Sequence, residues 1–208
     1  NYVKTIYNFC KKNKIYIIFD EIITGLRNKK LCVFKKLNLT PDIVTFAKIF
    51  GGGLPIGICC INKNLNSKLN SLNEKVFFGG TFSGNPFSSI VGLNTFKHIK
   101  KNKDKIFKHI EIISNYIEEE INLFCEKKDL NFRIQSYNSI LRPIFSKNII
   151  LNKKQREIFD PSLSKTEKLR KYLLKNQIFV GKNGAIFICS QHNMDDAKKL
   201  IKTITQYL

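Results

Sequence analysis

Short apolar runs of strand length alternate with segments of helical period through the first hundred residues of the chain. The runs predict strands at 15–19, 43–47, 56–61 and 76–78. Ahead of them, NYVKTIYNFCKKNK reads as the end of a helix feeding the first run. Gly51-Gly52-Gly53-Leu54-Pro55 and Phe78-Gly79-Gly80 punctuate the pattern. Asn85-Pro86 then opens a helix running to about Lys100, with a proline where the first turn needs no N–H donor. Strands alternating with helices predict an α/β layer whose strands run parallel.

The rhythm changes after Lys105. Ile106, Ile110, Ile113, Ile117, Ile121 and Phe124 recur at spacings of three and four with charges on the opposite face, which predicts one long amphipathic helix to Glu126. Strands are expected at 132–135, 140–146, 178–181 and 185–190, with a helix from about Lys165 to Asn176. A last helix follows Asn193, whose side chain can cap it while Asp195 and Asp196 complement its dipole. This pattern predicts an α/β domain over residues 1–102 and a smaller α+β domain over 103–208, divided inside the charge run Lys100-Lys101-Asn102-Lys103-Asp104.

Composition changes this picture little. The formal charge of +20 would suit a nucleic acid or an anionic membrane surface, but the lysines are spread along the chain beside abundant Ile and Asn rather than gathered into a stripe. We therefore expect neither a nucleic-acid nor a membrane partner. Cys10, Cys32, Cys59, Cys60, Cys125 and Cys189 contain no C-x-x-C pair and no zinc-site histidine spacing, so no metal is expected and free thiols in a reducing cytoplasm are. With Asn1 rather than Met at its head, the chain is expected to begin inside a longer protein.

Three segments carry candidate chemistry. In Ile18-Phe19-Asp20-Glu21-Ile22-Ile23-Thr24-Gly25-Leu26-Arg27 an apolar strand ends in adjacent carboxylates, a pattern that a solvated loop also produces. In Pro41-Asp42-Ile43-Val44-Thr45-Phe46-Ala47-Lys48, followed by Ile49-Phe50 and the glycines, a lysine stands at a strand's carboxyl end, where ligands bind in open α/β sheets. In Gly79-Gly80-Thr81-Phe82-Ser83-Gly84-Asn85-Pro86 a glycine-flanked hydroxyl precedes a helix, and such turns present N–H groups to phosphates.

In this order and spacing the three segments resemble the class III aminotransferases, and most closely their glutamate-1-semialdehyde aminomutase branch. The resemblance is sharpest over residues 15–96, and the G-T-x-S-G-N-P form of Gly80–Pro86 points to that branch. It implies a fold-type I enzyme of pyridoxal 5'-phosphate (PLP), with residues 1–102 forming the C-terminal part of its large domain. Lys48 matches the lysine that forms the Schiff base with the cofactor, and Asp20 the carboxylate that keeps the ring nitrogen protonated. Ile22 takes the place of the residue packed on one ring face. Gly80 and Thr81 match the phosphate rest, with Thr81 reaching the cofactor of a neighbouring subunit, so a cytoplasmic homodimer with shared sites is implied.

Two departures stand out. The loop that supplies a substrate-binding glutamate in the aminomutase branch is cut here to Lys182-Asn183-Gly184, with no counterpart to that glutamate. Arg142 lies inside the apolar run Ile140–Phe145, where either a structural ion pair or a clamp for a substrate carboxylate would account for it. The expected activity is transamination between an amine or amino acid and a carbonyl compound. Glutamate-1-semialdehyde 2,1-aminomutase is the first alternative, and a non-catalytic remnant or binding module the second. Asp20, Lys48 and Thr81 standing together argue against the last.

Overall fold

The computed structural model describes residues 2–71, 79–161 and 163–208. The strand expected at 76–78 lies outside the described residues. The chain divides into two compact units, residues 1–104 and 105–208.

The N-terminal unit opens with α1 (Tyr2–Lys12) and among the described residues holds a three-stranded sheet ordered β1 (Ile18–Asp20), β2 (Ile43–Phe46), β3 (Ile58–Ile61). β1 and β2 are parallel, as the alternating pattern predicts, whereas β3 is antiparallel to β2. The glycines after Lys48 explain the difference. Residues 47–57 turn the chain back directly through Gly52 and Gly53, both at positive φ, and contain no crossover helix long enough to return a parallel strand. Val44 and Phe46 of β2 are buried with Leu26, Leu31, Cys32 and Leu65. Two short helices complete the unit's loops: α2 (Val33–Lys36) and α3 (Lys63–Asn70), the latter capped by Asn62 Oδ1 accepting from Leu65 N–H at 2.8 Å.

One helix, α4 (Pro86–Lys127), replaces the two expected on either side of the charge run. The run holds neither glycine nor proline, and lysine is a good helix former. Asn102, the weakest link, donates its amide to His98 O at 2.9 Å along the helix axis, so the charges form a solvated face and not a break. Asn85 caps the other end, its Oδ1 accepting from Ser88 N–H at 3.0 Å.

In the C-terminal unit β4 (Arg133–Tyr137), β5 (Ile140–Ile144) and β6 (Ile186–Phe187) form an antiparallel sheet in that order. Three helices accompany it: α5 (Lys153–Phe159), α6 (Leu163–Lys175) and α7 (Met194–Tyr207). The periodic face of α4 supplies Ile113, Ile117 and Ile121 to a core shared with Ile134, Leu141, Leu169, Leu173 and Ile204, all nearly inaccessible. A full capping box at Asn193 and Asp196 starts α7.

Two strand expectations fail here. The segment 178–181 is irregular, and of 185–190 only Ile186 and Phe187 pair. The chain leaves α6 through Gln177 at φ 61° and reverses again at Gly184, and 178–181 enters no ladder of the sheet. Its alternation survives as packing, with Val180 buried and Phe179 84% exposed.

Candidate functional site

Asp20 is the last residue of β1 and pairs in register with Thr45 of β2. Lys48 follows three residues later on β2's strand path, so the carboxylate and the amine share the carboxyl edge of the parallel pair, the edge at which open α/β sheets bind ligands. Both side chains lie in residues open to solvent. Asp20 Oδ1 is held at 3.0 Å by Ile22 N–H and at 3.3 Å by the Thr45 hydroxyl. No hydrogen bond among the described residues engages Oδ2, which leaves one carboxylate oxygen oriented and available. Thr45 is thus a positioning residue that pattern reasoning missed. Its only signal was a hydroxyl inside the apolar run Ile43–Phe46.

The neighbouring carboxylate has the opposite fate. Glu21 is 1% exposed. Its Oε1 accepts from the N–H groups of Val33 and Phe34 at 2.6 and 3.0 Å, and its Oε2 from the Thr24 hydroxyl at 2.5 Å. Glu21 therefore ties down the loop after β1 and supplies the first turn of α2 with an acceptor. Gly25 completes this tie. A Cβ there would stand 2.7 Å from Glu21 O and 2.9 Å from the Phe46 ring, so the glycine of D-E-x-x-T-G is needed for closeness.

Lys48 begins a single 3-10 turn, Lys48–Gly51, and takes φ 51°, a left-handed conformation that costs a non-glycine residue about 1–2 kcal/mol. Such strain persists only where the surroundings enforce it. The Phe50 ring lies 4.6 Å from that of Phe46 and 5.9 Å from that of Phe96 on α4, centroid to centroid. Gly92 of α4 lets Phe50 O approach so closely that a Cβ would sit at 2.7 Å. Strand, turn and helix together hold the lysine in its strained, solvent-facing place.

The remaining expected residues are distributed as follows. Ile22 is half-buried, two residues past Asp20. Gly80 and Thr81 are exposed in the turn before α4, closed by Ser83 N–H donating to Gly80 O at 2.9 Å. Arg142 belongs to the C-terminal unit, on β5 opposite Gln135. Among the described residues no carboxylate lies within ion-pair distance of it. The shortened loop is a tight turn in which Gly184 N–H reaches Gly181 O at 2.9 Å and Asn183 Oδ1 accepts from Ala185 N–H at 3.1 Å.

Residues 1–137 match the family model of the class-III aminotransferases. The chain belongs to that family. It is 29% identical over 208 residues to the glutamate-1-semialdehyde 2,1-aminomutase of Caldicellulosiruptor bescii, which covers 99% of this chain and 48% of that protein. The relative from Methanococcus vannielii, of the same name, is 36% identical over 183 residues, 86% of this chain and 40% of its own length. Among solved structures, a glutamate-1-semialdehyde aminomutase from Pseudomonas aeruginosa in complex with PMP superposes with a TM-score of 0.85 at 14% identity, covering 97% of this chain and 46% of that one. The chain thus spans about half the length of the relatives it matches, and its fold is that of the PLP fold-type I enzymes.

Does the edge suit PLP? The cofactor needs an amine to hold its aldehyde carbon, a carboxylate at its pyridine nitrogen and donors for its phosphate. Lys48 supplies a solvent-facing amine. Asp20 supplies an oxygen left over by two donors that fix its partner. Gly80 and Thr81 supply a hydroxyl and turn N–H groups beside a helix start. The donor set fits.

Proposed function

We propose that the full-length protein is a PLP-dependent transaminase, moving an amino group between an amine or amino acid and a carbonyl compound. The observation that carries this is the pairing of Asp20 and Lys48 on one strand edge, with the lysine in a braced left-handed conformation. When bound, PLP supplies a sink for the electron pair released at the substrate carbon that bears the amine. Lys48 Nζ holds the cofactor and, once freed by substrate, takes the proton from that carbon and returns it elsewhere. Asp20 Oδ2 keeps the proton on the ring nitrogen, with Ile22 N–H and Thr45 Oγ1 fixing the carboxylate. Ile22 covers one ring face.

Thr81 and Gly80 serve the phosphate, and in this reading Thr81 does so for the partner of a homodimer whose sites are shared. The protein acts on small molecules in the cytoplasm, without nucleic acid or membrane. No helix among the described residues is long and apolar enough to cross a membrane.

A second reading is the aminomutase, favoured by the names of the relatives above and by the G-T-x-S-G-N-P segment. Transamination is preferred because the loop that carries a substrate-binding glutamate in the aminomutase branch is shortened here to Lys182-Asn183-Gly184, with a basic residue and no counterpart to that glutamate. A cation there repels an ammonium.

Incubating the full-length protein with PLP and reducing it with borohydride should leave a pyridoxyl group on Lys48, located by peptide mass mapping. Modification of any other lysine overturns the site. Sustained conversion of glutamate-1-semialdehyde to 5-aminolevulinate without added amino acceptor would decide for the second reading.

A further inference from the structure

Two arginines of the C-terminal sheet hold a buried Nε without a hydrogen-bond partner among the described residues; Arg133 still donates its Nη1 to Lys147 O at 3.0 Å, whereas the half-buried Arg142 makes no such bond. It faces Gln135 across the β4–β5 ladder, and that neighbour is already committed. Gln135 donates its amide to Ile150 O at 2.9 Å and accepts from Ile150 N–H at 3.0 Å. The carboxylate whose charge acts on Arg142 is Asp160, itself buried and accepting from Phe145 N–H at 3.3 Å. Arg142 Nε is shut off from solvent and has no hydrogen-bond partner among the described residues. Burial depresses the guanidinium's pKa, and a second cation, Arg156 of α5, depresses it further, with Asp160 opposing. A buried donor left unpaired is costly, and native structures rarely leave one so.

These groups line a cavity of about 210 Å³ whose walls include Ile140, Ile144 and Ile150. We infer that this cavity is a binding site for a small carboxylic acid, its carboxylate held by Arg142 with help from Arg156 and its short apolar chain lying against the isoleucines. A planar guanidinium matches two carboxylate oxygens side by side, which an ammonium cannot do. Two arginines against one aspartate leave a single uncompensated positive charge, enough for one carboxylate and too little for a dianionic phosphate. The volume is below the range typical of sites for drug-sized ligands, which favours an acid of a few carbon atoms. The inference does not depend on Lys48 or on the cofactor.

Calorimetric titration of the full-length protein with butyrate tests it, with inorganic phosphate as the competing anion. Butyrate should bind and phosphate should bind more weakly. Arg142→Gln should weaken butyrate on the order of 10- to 100-fold, the value of a hydrogen-bonded charge, and Arg142→Lys should fail to restore it. Should Arg142→Gln not fold, Arg156→Gln carries the comparison, since α5 has no buried residue, and a weakening is again expected. Lys48→Ala should bind butyrate as the parent does. Absence of butyrate binding, binding indifferent to both arginines, phosphate binding more tightly than butyrate, or binding lost in Lys48→Ala overturns the assignment.

Discussion

The two units solve the problem of burial differently. In the C-terminal unit Ile113, Ile117, Ile121, Ile134, Leu141, Leu169, Leu173 and Ile204 are all sealed to below 2% exposure. Among the described residues of the N-terminal unit the one large side chain sealed to that degree is Glu21, an acid, while Tyr2, Phe9, Tyr16 and Ile18 stand open along α1 and into β1. One unit rests on close packing of aliphatic side chains. The other rests on polar ties and on a few close backbone approaches, and it is the one that carries Lys48 in a strained conformation. Ile121 is held by apolar contact and Glu21 by three hydrogen bonds, and that difference sets the two units apart.

Deleting equivalent apolar bulk in each unit should separate the two kinds of burial most strongly. Ile121→Ala, at a position with no measurable exposure, should cost about 2–5 kcal/mol of stability. Leu65→Ala, at 8% exposure, should fall at or below the lower end of that range. Urea denaturation of both variants checks the order. An equal cost would mean that the N-terminal unit is as closely packed around α3 as the other is around α4.

Glu21 comes next in size. Removing its carboxylate orphans Val33 N–H, Phe34 N–H and the Thr24 hydroxyl, so Glu21→Ala should cost about 1–3 kcal/mol for donors that find no other acceptor. Hydrogen exchange should then show the amides of residues 33 and 34 losing protection while those of β4 and β5 keep theirs. Unchanged protection at 33 and 34 would make Glu21 a bystander of that loop.

How much of this was legible beforehand follows from the kind of force involved. Periodic burial was legible. The spacing of Ile113, Ile117 and Ile121 gave the core face of α4, and the acceptor at Asn193 gave the start of α7. The joining of two helices into α4 was not, because a run of lysines looks like a linker when charge is counted and like a helix face when propensity is. The segment 178–181 read as a strand because its alternation is real, but pairing depends on where the neighbours run. At the candidate site, the motifs named Asp20 and Lys48. The fold adds what the motif could not: Asp20 keeps an oxygen free for a ligand, while both oxygens of Glu21 are taken by the Val33 and Phe34 N–H groups and the Thr24 hydroxyl. Thr45 escaped notice for the same reason, since its value comes from register with Asp20 across the sheet.

The smallest effect tests the polar ties of the N-terminal unit through pH. Asp42 precedes β2 and receives Ile17 N–H at 2.9 Å, the Asn62 amide at 3.0 Å and Lys11 Nζ at 3.1 Å. Burial alone would push its carboxyl upward, but the N–H of Ile17, then Lys11 and Asn62, outweigh it and hold the pKa below the ordinary aspartate value. A carboxyl whose folded pKa is depressed stabilises the fold fully above its unfolded value, about 3.9. That stabilisation fades as pH falls through the folded value. Asp42→Asn should therefore be less stable than the parent at pH 7 and at pH 5, with the gap closing below about pH 4. Lys11→Met removes only the partly exposed partner, whose side chain is 40% accessible, and should cost under about 1 kcal/mol. Urea midpoints at pH 7, 5 and 3 read both effects. A gap between Asp42→Asn and the parent that persists undiminished at pH 3 would mean that the aspartate acts through its shape and not its charge, and the N-terminal unit would lose one of the ionic ties that set it apart from its aliphatic neighbour.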